Sequence, residues 1–304
     1  MTKVVVTGGA GFIGSHLVDA LLERGHEVHI IDSFWTGKRA HVNPAAILHE
    51  ADIRNPEAIR PIFSDAAAVF HTAAQARMQY SIAEPRLTND INVTGTLNVL
   101  LASRDAGVRR VIYSASSSTY GQKTTMPLQE DMPAEPIIPY AIQKRVGEQY
   151  CAMASQFWGL ETLSLRYFNV YGPRQTTSAD GPNATVIGIF LDQRRRGEPL
   201  SIVPDGTQRR DFTHVRDVVR ANLLALESDR VGRGEIINIG TGKNWSVREV
   251  AELIGGPWEF VAPRRGEVAE TLADNRRAKE LLGWEPHIRF EDGIAELKAL
   301  HGLS

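Results

Sequence analysis

Cysteine is almost missing from this 304-residue chain: Cys151 is the only one, so no disulfide can close within it. That fits a reducing compartment, and the cytoplasm is expected. Also lacking is any apolar run near the roughly 18 residues that a membrane-spanning helix needs. The sequence opens on strand-like residues, with no charged segment and cleavage site, so no secretory leader is expected. There is no charge excess either: the formal net charge is −2 and the isoelectric point ≈ 6.5. Arg109-Arg110, Arg194-Arg195-Arg196, Arg209-Arg210 and Arg264-Arg265 are scattered rather than gathered into a basic domain. Neither nucleic acid nor an anionic membrane is therefore an expected partner. No internal repeat or low-complexity segment is present, and no metal is expected.

What the chain does have is apolar content, 42% of it hydrophobic. That suffices for the core of one large domain or two coupled ones. Strand-like runs at Lys3–Thr7, Glu27–Ile31, Ile47–His49, Ala68–His71, Arg110–Ser114 and Glu161–Arg166 alternate with helical patterns. The latter span Phe12–Arg24, Pro56–Ile62, Arg86–Ala106 and Tyr140–Trp158. Alternation of this kind predicts an α/β fold, a doubly wound parallel sheet covered on both faces and joined by right-handed crossovers.

Beyond Arg166 the regularity degrades. Turn signals stand at Tyr171-Gly172-Pro173, Asp180-Gly181-Pro182 and Pro204-Asp205-Gly206. Helices are expected at Ala184–Arg195, Val215–Leu226 and Val247–Ile254, and a buried strand at Ile236–Ile239. The expected division is a nucleotide-binding unit over 1–172, with chain returning at about 212–240. A smaller, mixed α/β substrate lobe would occupy 173–304.

The most telling stretch is Thr7-Gly8-Gly9-Ala10-Gly11-Phe12-Ile13-Gly14, between the run Val4-Val5-Val6 and the helical Ser15–Leu22 segment. Strand, glycine turn and helix in that order make a dinucleotide-phosphate site of the Rossmann type. Glycines let backbone amides approach the pyrophosphate, while the helix N-terminus supplies unpaired N–H groups and positive potential. Asp32 closes the next apolar run, where a carboxylate accepts hydrogen bonds from ribose hydroxyls and repels a 2′-phosphate, favouring NAD. Lys38 and Arg39 just downstream leave some NADP tolerance open. Asp52-Ile53 either meets the adenine edge or is an ordinary capping turn.

Tyr140 and Lys144, four apart behind Pro139, share one face of a predicted helix. An ammonium beside a phenol favours the phenolate and makes a general base at neutral pH. The plain alternative is a surface pair, which the complete dinucleotide site disfavours. Ser114-Ala115-Ser116-Ser117-Ser118-Thr119-Tyr120-Gly121 leaves the fifth strand, where carboxyl ends of strands line the ligand crevice.

Together with His71–Gln75, Asn92–Thr96, Arg166–Arg174 and Arg209–Phe212, these residues identify a resemblance. Over nearly its whole length the chain resembles the NAD-dependent epimerase/dehydratase family of extended short-chain dehydrogenase/reductases. The run Arg166-Tyr167-Phe168-Asn169-Val170-Tyr171-Gly172-Pro173-Arg174 is the most specific match. The resemblance implies that Ser116, Tyr140 and Lys144 are catalytic. It implies that Gly8, Gly11, Phe12, Ile13, Asp32, Asp52, Ile53, Ala73, Asn92, Ser114, Tyr140 and Lys144 hold NAD, with Tyr167 near the nicotinamide. Asn169, Val203, Arg210 and Arg264 would grip a nucleotide-sugar diphosphate and Glu267 its ribose, while Ser116 would meet the sugar at its reacting oxygen. Guanidinium forks suit phosphate oxygens. It also implies a homodimer formed through the helices at Arg86–Ala106 and Tyr140–Trp158.

Within that family, dehydratases carry an Asp-Glu pair in the loop after the fifth strand, and nucleotide-glucuronate decarboxylases usually a Glu. Here the loop reads Ser116-Ser117-Ser118-Thr119. Its lack of a carboxylate favours 4-epimerisation of a UDP-hexose. Tyr140 would take the C4 hydroxyl proton as hydride leaves for NAD, and the 4-keto sugar would turn about its anchored diphosphate. Thr271 falls where the size of the sugar pocket is set, and a small residue there leaves room for an N-acetyl group; the alternative is that it merely fills space. UDP-glucose and UDP-N-acetylglucosamine are the expected substrates. UDP-glucuronate 4-epimerisation, another nucleotide-sugar oxidoreduction, and a non-catalytic NAD-sensing role are the remaining readings.

Overall fold

Val4, Val5 and Val6 are fully buried because both faces of their strand are covered. Side chains alternate across a strand, so Val4 and Val6 join one apolar cluster with Leu17, Val18 and Leu21. Val5 joins another with Ile59, Phe63, Val99 and Leu100. Such a continuous β-branched run is what a central parallel strand requires. The computed structural model describes residues 1–178, 184–262 and 268–303.

The main sheet comprises β1 (Lys3–Thr7), β2 (Glu27–Asp32), β3 (Ile47–Glu50), β4 (Ala68–His71), β5 (Arg110–Ser116), β6 (Glu161–Tyr167) and β7 (Arg233–Ile239). All pairings are parallel, in the order β7-β6-β5-β4-β1-β2-β3. The chain winds outward from β1 to β3, then resumes on the other side of β1 at β4. That reversal leaves a crevice at the carboxyl ends of β1 and β4, the place where such sheets bind ligands. This is the doubly wound fold that the alternating pattern predicts.

Four helices matter most: α1 (Phe12–Glu23), α2 (Gly95–Asp105), α3 (Pro139–Trp158) and α4 (Val215–Glu227). α1 and α4 supply one face's core, and α2 and α3 the other's. α3 starts on Pro139, whose missing N–H costs nothing in a first turn, and stops at the left-handed Gly159 (φ 69°). Among the described residues no helix is long and apolar enough to cross a membrane.

The predicted helix Arg86–Ala106 is in fact a succession. Pro85–Asn89 is α-helical, Asp90–Thr94 is a π turn, and α2 follows, with a further short helix at Met78–Ala83 ahead of them. The rest of the chain forms a lobe with its own core, including Ile187, Phe190, Phe212, Val250, Phe290 and Leu297. Its strands pair in twos: Leu200–Ile202 with Trp258–Phe260, and Arg209–Asp211 with Asn244–Ser246. Val247–Ile254 forms as predicted and carries a capping box between Ser246 and Glu249. Arg276–Leu282 and Phe290–Leu300 are helices the apolar pattern did not suggest. The first returns to the sheet, where Ala278, Leu282 and Trp284 join its core.

Candidate active site

At the end of β1 the chain turns through Gly8, whose N–H donates to the Ile31 carbonyl at 2.7 Å. Gly8 adopts φ +73°, and a Cβ there would stand 2.7 Å from the Ala73 nitrogen. A Cβ on Gly14 would stand 2.2 Å from the Gly8 carbonyl oxygen. The glycines are thus required by close backbone approach at the head of α1. Among the described residues no side chain caps that helix, whose N-cap is Gly11, so its first amides are open to an anion.

A cavity of about 310 Å³ opens over this turn. Gly8, Gly11, Phe12, Ile13, Asp32, Asp52, Ile53 and Ala73, the residues that the resemblance assigns to the dinucleotide, all line it. Asp32 Oδ1 accepts from the Phe34 N–H at 2.8 Å and Oδ2 from the Ala10 N–H at 2.9 Å. Burial pushes its carboxyl up, against those two bonds. Arg39, a candidate for a 2′-phosphate, is paired with Glu50 at 2.6 Å and lies 4.2 Å over the Phe34 ring.

A second cavity, about 480 Å³, lies toward the lobe. Ser116, Tyr140, Tyr167, Asn169, Val203, Arg210 and Thr271 line it. The two share Ile13, Ala76 and Thr185, so they form one elongated cleft with the glycine turn in one half and Tyr140 in the other. Arg264 and Glu267 lie outside the described residues.

Not every predicted residue reaches the walls. Lys144 is buried and donates from Nζ to the Ser114 carbonyl at 2.7 Å. Ser114 Oγ meets the Tyr167 hydroxyl at 3.1 Å, and that hydroxyl also takes Asn222 Nδ2 at 2.8 Å. Asn92 faces inward: Oδ1 accepts the Gln75 N–H, and Nδ2 donates to the Gln75 carbonyl and to Gln143 Oε1. It clasps the cavity wall from behind and ties it to α3.

The phenol also differs from the simple expectation. Burial pushes Tyr140 up, and its hydrogen bond with Ser116 pulls it back. Burial lowers Lys144 to about 8. Within the protein alone Lys144 serves β5, and the depressed phenol implied by the four-residue spacing is not realised. Ser116 Oγ accepts from Ser118 N–H (3.2 Å) and Ser118 Oγ (2.9 Å), which leaves its own proton for the Tyr140 oxygen or for a ligand oxygen beside it.

Thr185, which carries no motif of its own in the sequence, stands where the two halves meet. It caps the helix Val186–Arg196, its hydroxyl accepting the Gly188 N–H at 3.2 Å. A threonine immediately before an apolar helical run is a legible cap signal; its place in the cleft depends on the fold.

A family model described as the NAD dependent epimerase/dehydratase family matches residues 4–240. The chain belongs to this family. A UDP-glucose 4-epimerase from Mycolicibacterium smegmatis is 36% identical over 307 residues, covering 97% of this chain and 96% of that one. A crystal structure of UDP-glucose 4-epimerase with UDP-glucose from Thermotoga maritima superposes with TM-score 0.93. It is 38% identical and covers 99% and 98% of the two chains. The Thermus thermophilus UDP-glucose 4-epimerase in complex with NAD gives 0.90 at 35% identity, with the same coverage.

As a member of the NAD dependent epimerase/dehydratase family, the protein uses NAD as its cofactor. The residues present fit that group: the cradle is one that a Cβ on Gly8 or Gly14 would fill. Beside it Asp32 presents a carboxylate, and an uncapped helix end faces the same space.

Proposed function

We propose that the protein inverts C4 of UDP-hexoses, interconverting UDP-glucose with UDP-galactose and UDP-N-acetylglucosamine with UDP-N-acetylgalactosamine. One observation carries this reading: Tyr140 and Ser116 line the lobe half of a cleft whose other half is built for a dinucleotide. Residues 1–172, with the return at about 212–240, hold NAD, and 173–304 hold the nucleotide-sugar. When bound, NAD supplies the reversible oxidation of C4 and stays with the protein through each turnover.

The protein's own groups do the rest. Tyr140 takes the C4 hydroxyl proton on its phenol oxygen and later returns it. Ser116, its oxygen already accepting two bonds, donates its proton toward O4. Lys144 keeps the end of β5 in register with α3 through the Ser114 carbonyl. Arg210 grips the diphosphate, helped by Arg264, while the 4-keto ring turns over between the two proton transfers. Asn169 and Thr271 are joined at 3.2 Å across the sugar half. Dimerisation through the helices around Arg86–Ala106 and Tyr140–Trp158 accompanies this reading; on α3, Ile142 and Phe157 are exposed.

Incubating the protein with UDP-glucose, UDP-N-acetylglucosamine and UDP-glucuronate, followed by proton NMR of the sugar, tests the assignment. Galacto products from the first two are expected. Among the described residues Arg210 is the only basic side chain on the sugar half's wall, and it is assigned to phosphate. Turnover of the glucuronate alone would therefore overturn the substrate choice. A companion Thr271→Tyr variant adds bulk at this wall. It is expected to lower kcat/KM for the N-acetyl sugar at least tenfold more than for UDP-glucose. One missing or extra group in a pocket is worth about 10–200-fold. Equal losses on the two sugars would remove Thr271 from the size gate.

A further inference from the structure

Trp35 is half-exposed, with 50% of its surface free, yet it lies on the wall of the cofactor half of the cleft. We propose that its indole stacks on the adenine of NAD and sets how long the dinucleotide is retained. The proposal rests on the reading that the glycine-lined cavity holds NAD. The order of groups along the cleft carries it. The junction with the sugar half lies at Ile13, Ala76 and Thr185. The glycine turn and the head of α1 follow, suited to the diphosphate, and then Asp32, suited to the ribose hydroxyls. Adenine is bonded to that ribose, and the sheet order β1-β2-β3 places beyond Asp32 the end of β3, where Ala51, Asp52 and Ile53 line the cavity together with Trp35.

The segment bearing Trp35 is not a loose loop. Asp32 Oδ1 holds the Phe34 N–H at 2.8 Å, and Phe34 takes φ 55°, a left-handed backbone that a bulky residue adopts only under constraint. Lys38 N–H donates to the Ala10 carbonyl at 3.0 Å, pinning the segment's far end to the glycine turn. A Cβ on Gly37 would stand 2.7 Å from Asp32 Oδ1, so the strap closes tightly on the ribose carboxylate. Successive aromatic residues then divide: Phe34 meets Arg39, and Trp35 joins the cavity wall.

Arg54 stands 5.8 Å from the centre of the Trp35 ring. Asp52 grips it through Nε at 3.0 Å and Nη2 at 2.7 Å. The ion pair supports the indole without filling the cavity. An aromatic face beside an apolar Ile53 is the ordinary platform for a purine. Base stacking on such rings is sequence-tolerant and substantial.

The test loads wild type, W35F and W35A with NAD, dilutes each into excess deuterated NAD, and follows release of the unlabelled dinucleotide by mass spectrometry. W35A is expected to release NAD about tenfold faster, equivalent to about 1.4 kcal/mol, with W35F within threefold of wild type. Calorimetric titration with ADP-ribose, which keeps adenine and lacks nicotinamide, is expected to show the same tenfold loss in W35A. Release from W35A at the wild-type rate overturns the proposal, as does equal acceleration in W35F and W35A. Unchanged ADP-ribose affinity in W35A overturns it too. A wild-type protein that holds no NAD fails the cofactor reading itself, an outcome distinct from all of these.

Discussion

Replacing Tyr140 by phenylalanine is expected to lower kcat for UDP-sugar inversion by roughly 10²–10⁴-fold, the range supplied by a positioned general acid–base group. The substitution removes one oxygen and little else. The Tyr140 backbone N–H still donates to Ser81 Oγ at 3.2 Å, and α3 keeps its start at Pro139. The ring keeps its place on the cleft wall, so binding of the UDP-sugar should change far less than turnover. The sign of the pH effect follows from burial. Because burial pushes the phenol up, the competent base becomes more abundant as pH rises, and wild-type kcat/KM climbs on the acid side of its optimum. In Tyr140→Phe that climb should vanish with the base that causes it. Steady-state rates across pH, on both proteins, read the two effects together. A variant within threefold of wild type would take the proton transfer away from Tyr140.

Why some of this was legible in the sequence and some was not comes down to the reach of each signal. The glycine turn, Asp32 and the strands of the sheet are local matters. A valine run buried on both faces, or a glycine whose Cβ would collide, leaves its mark within a few residues. Ala68–His71 and Val247–Ile254 form with the boundaries that pattern alone suggests. The segment Arg86–Ala106 shows the opposite case. Its apolar spacing is helical throughout, yet a π turn interrupts it at Asp90–Thr94. There Asn92 is turned inward to clasp Gln75 and Gln143, partners 17 and 51 residues away.

The same limit governs the site. Tyr140 and Lys144 were visible as a pair, but the Ser114 carbonyl that takes Lys144 comes from another element, through a sheet register no periodicity encodes. Helix Arg276–Leu282 is rich in charge, and what marks it as structural is the burial of Ala278 and Leu282 in the sheet's core. Thr185 belongs to the cleft because the tertiary fold sets it on the wall that both halves share. Its cap chemistry was readable, and its position was not.

Glu148 carries the second large effect, and it shows how the catalytic helix is fastened. One turn beyond Lys144, it is almost wholly buried, as is Arg166 at the end of β6. Glu148 Oε1 accepts from Arg166 Nε at 2.7 Å and Oε2 from Nη2 at 2.8 Å, with Arg145 Nη1 adding a third bond at 2.9 Å. The Arg166 guanidinium lies 4.5 Å over the Tyr120 ring. This pair joins α3, which carries Tyr140, to the strand that ends in Tyr167. Glu148→Ala should destabilise the protein by about 3–5 kcal/mol, since it strands a buried guanidinium without its counter-charge. The midpoint of urea unfolding reads that loss. The double variant Glu148→Leu with Arg166→Met, which removes both charges, should recover much of it, because apolar groups of similar volume often replace a buried pair at little cost. A double variant no more stable than the single one would show that packing, not the stranded charge, is responsible. Burial lowers Lys144 to about 8, while Cys151 and Glu148 act to raise it. Without Glu148, one of the two groups that raise Lys144 is gone, so Lys144 should titrate lower still and give up its charge at a lower pH than in the wild type.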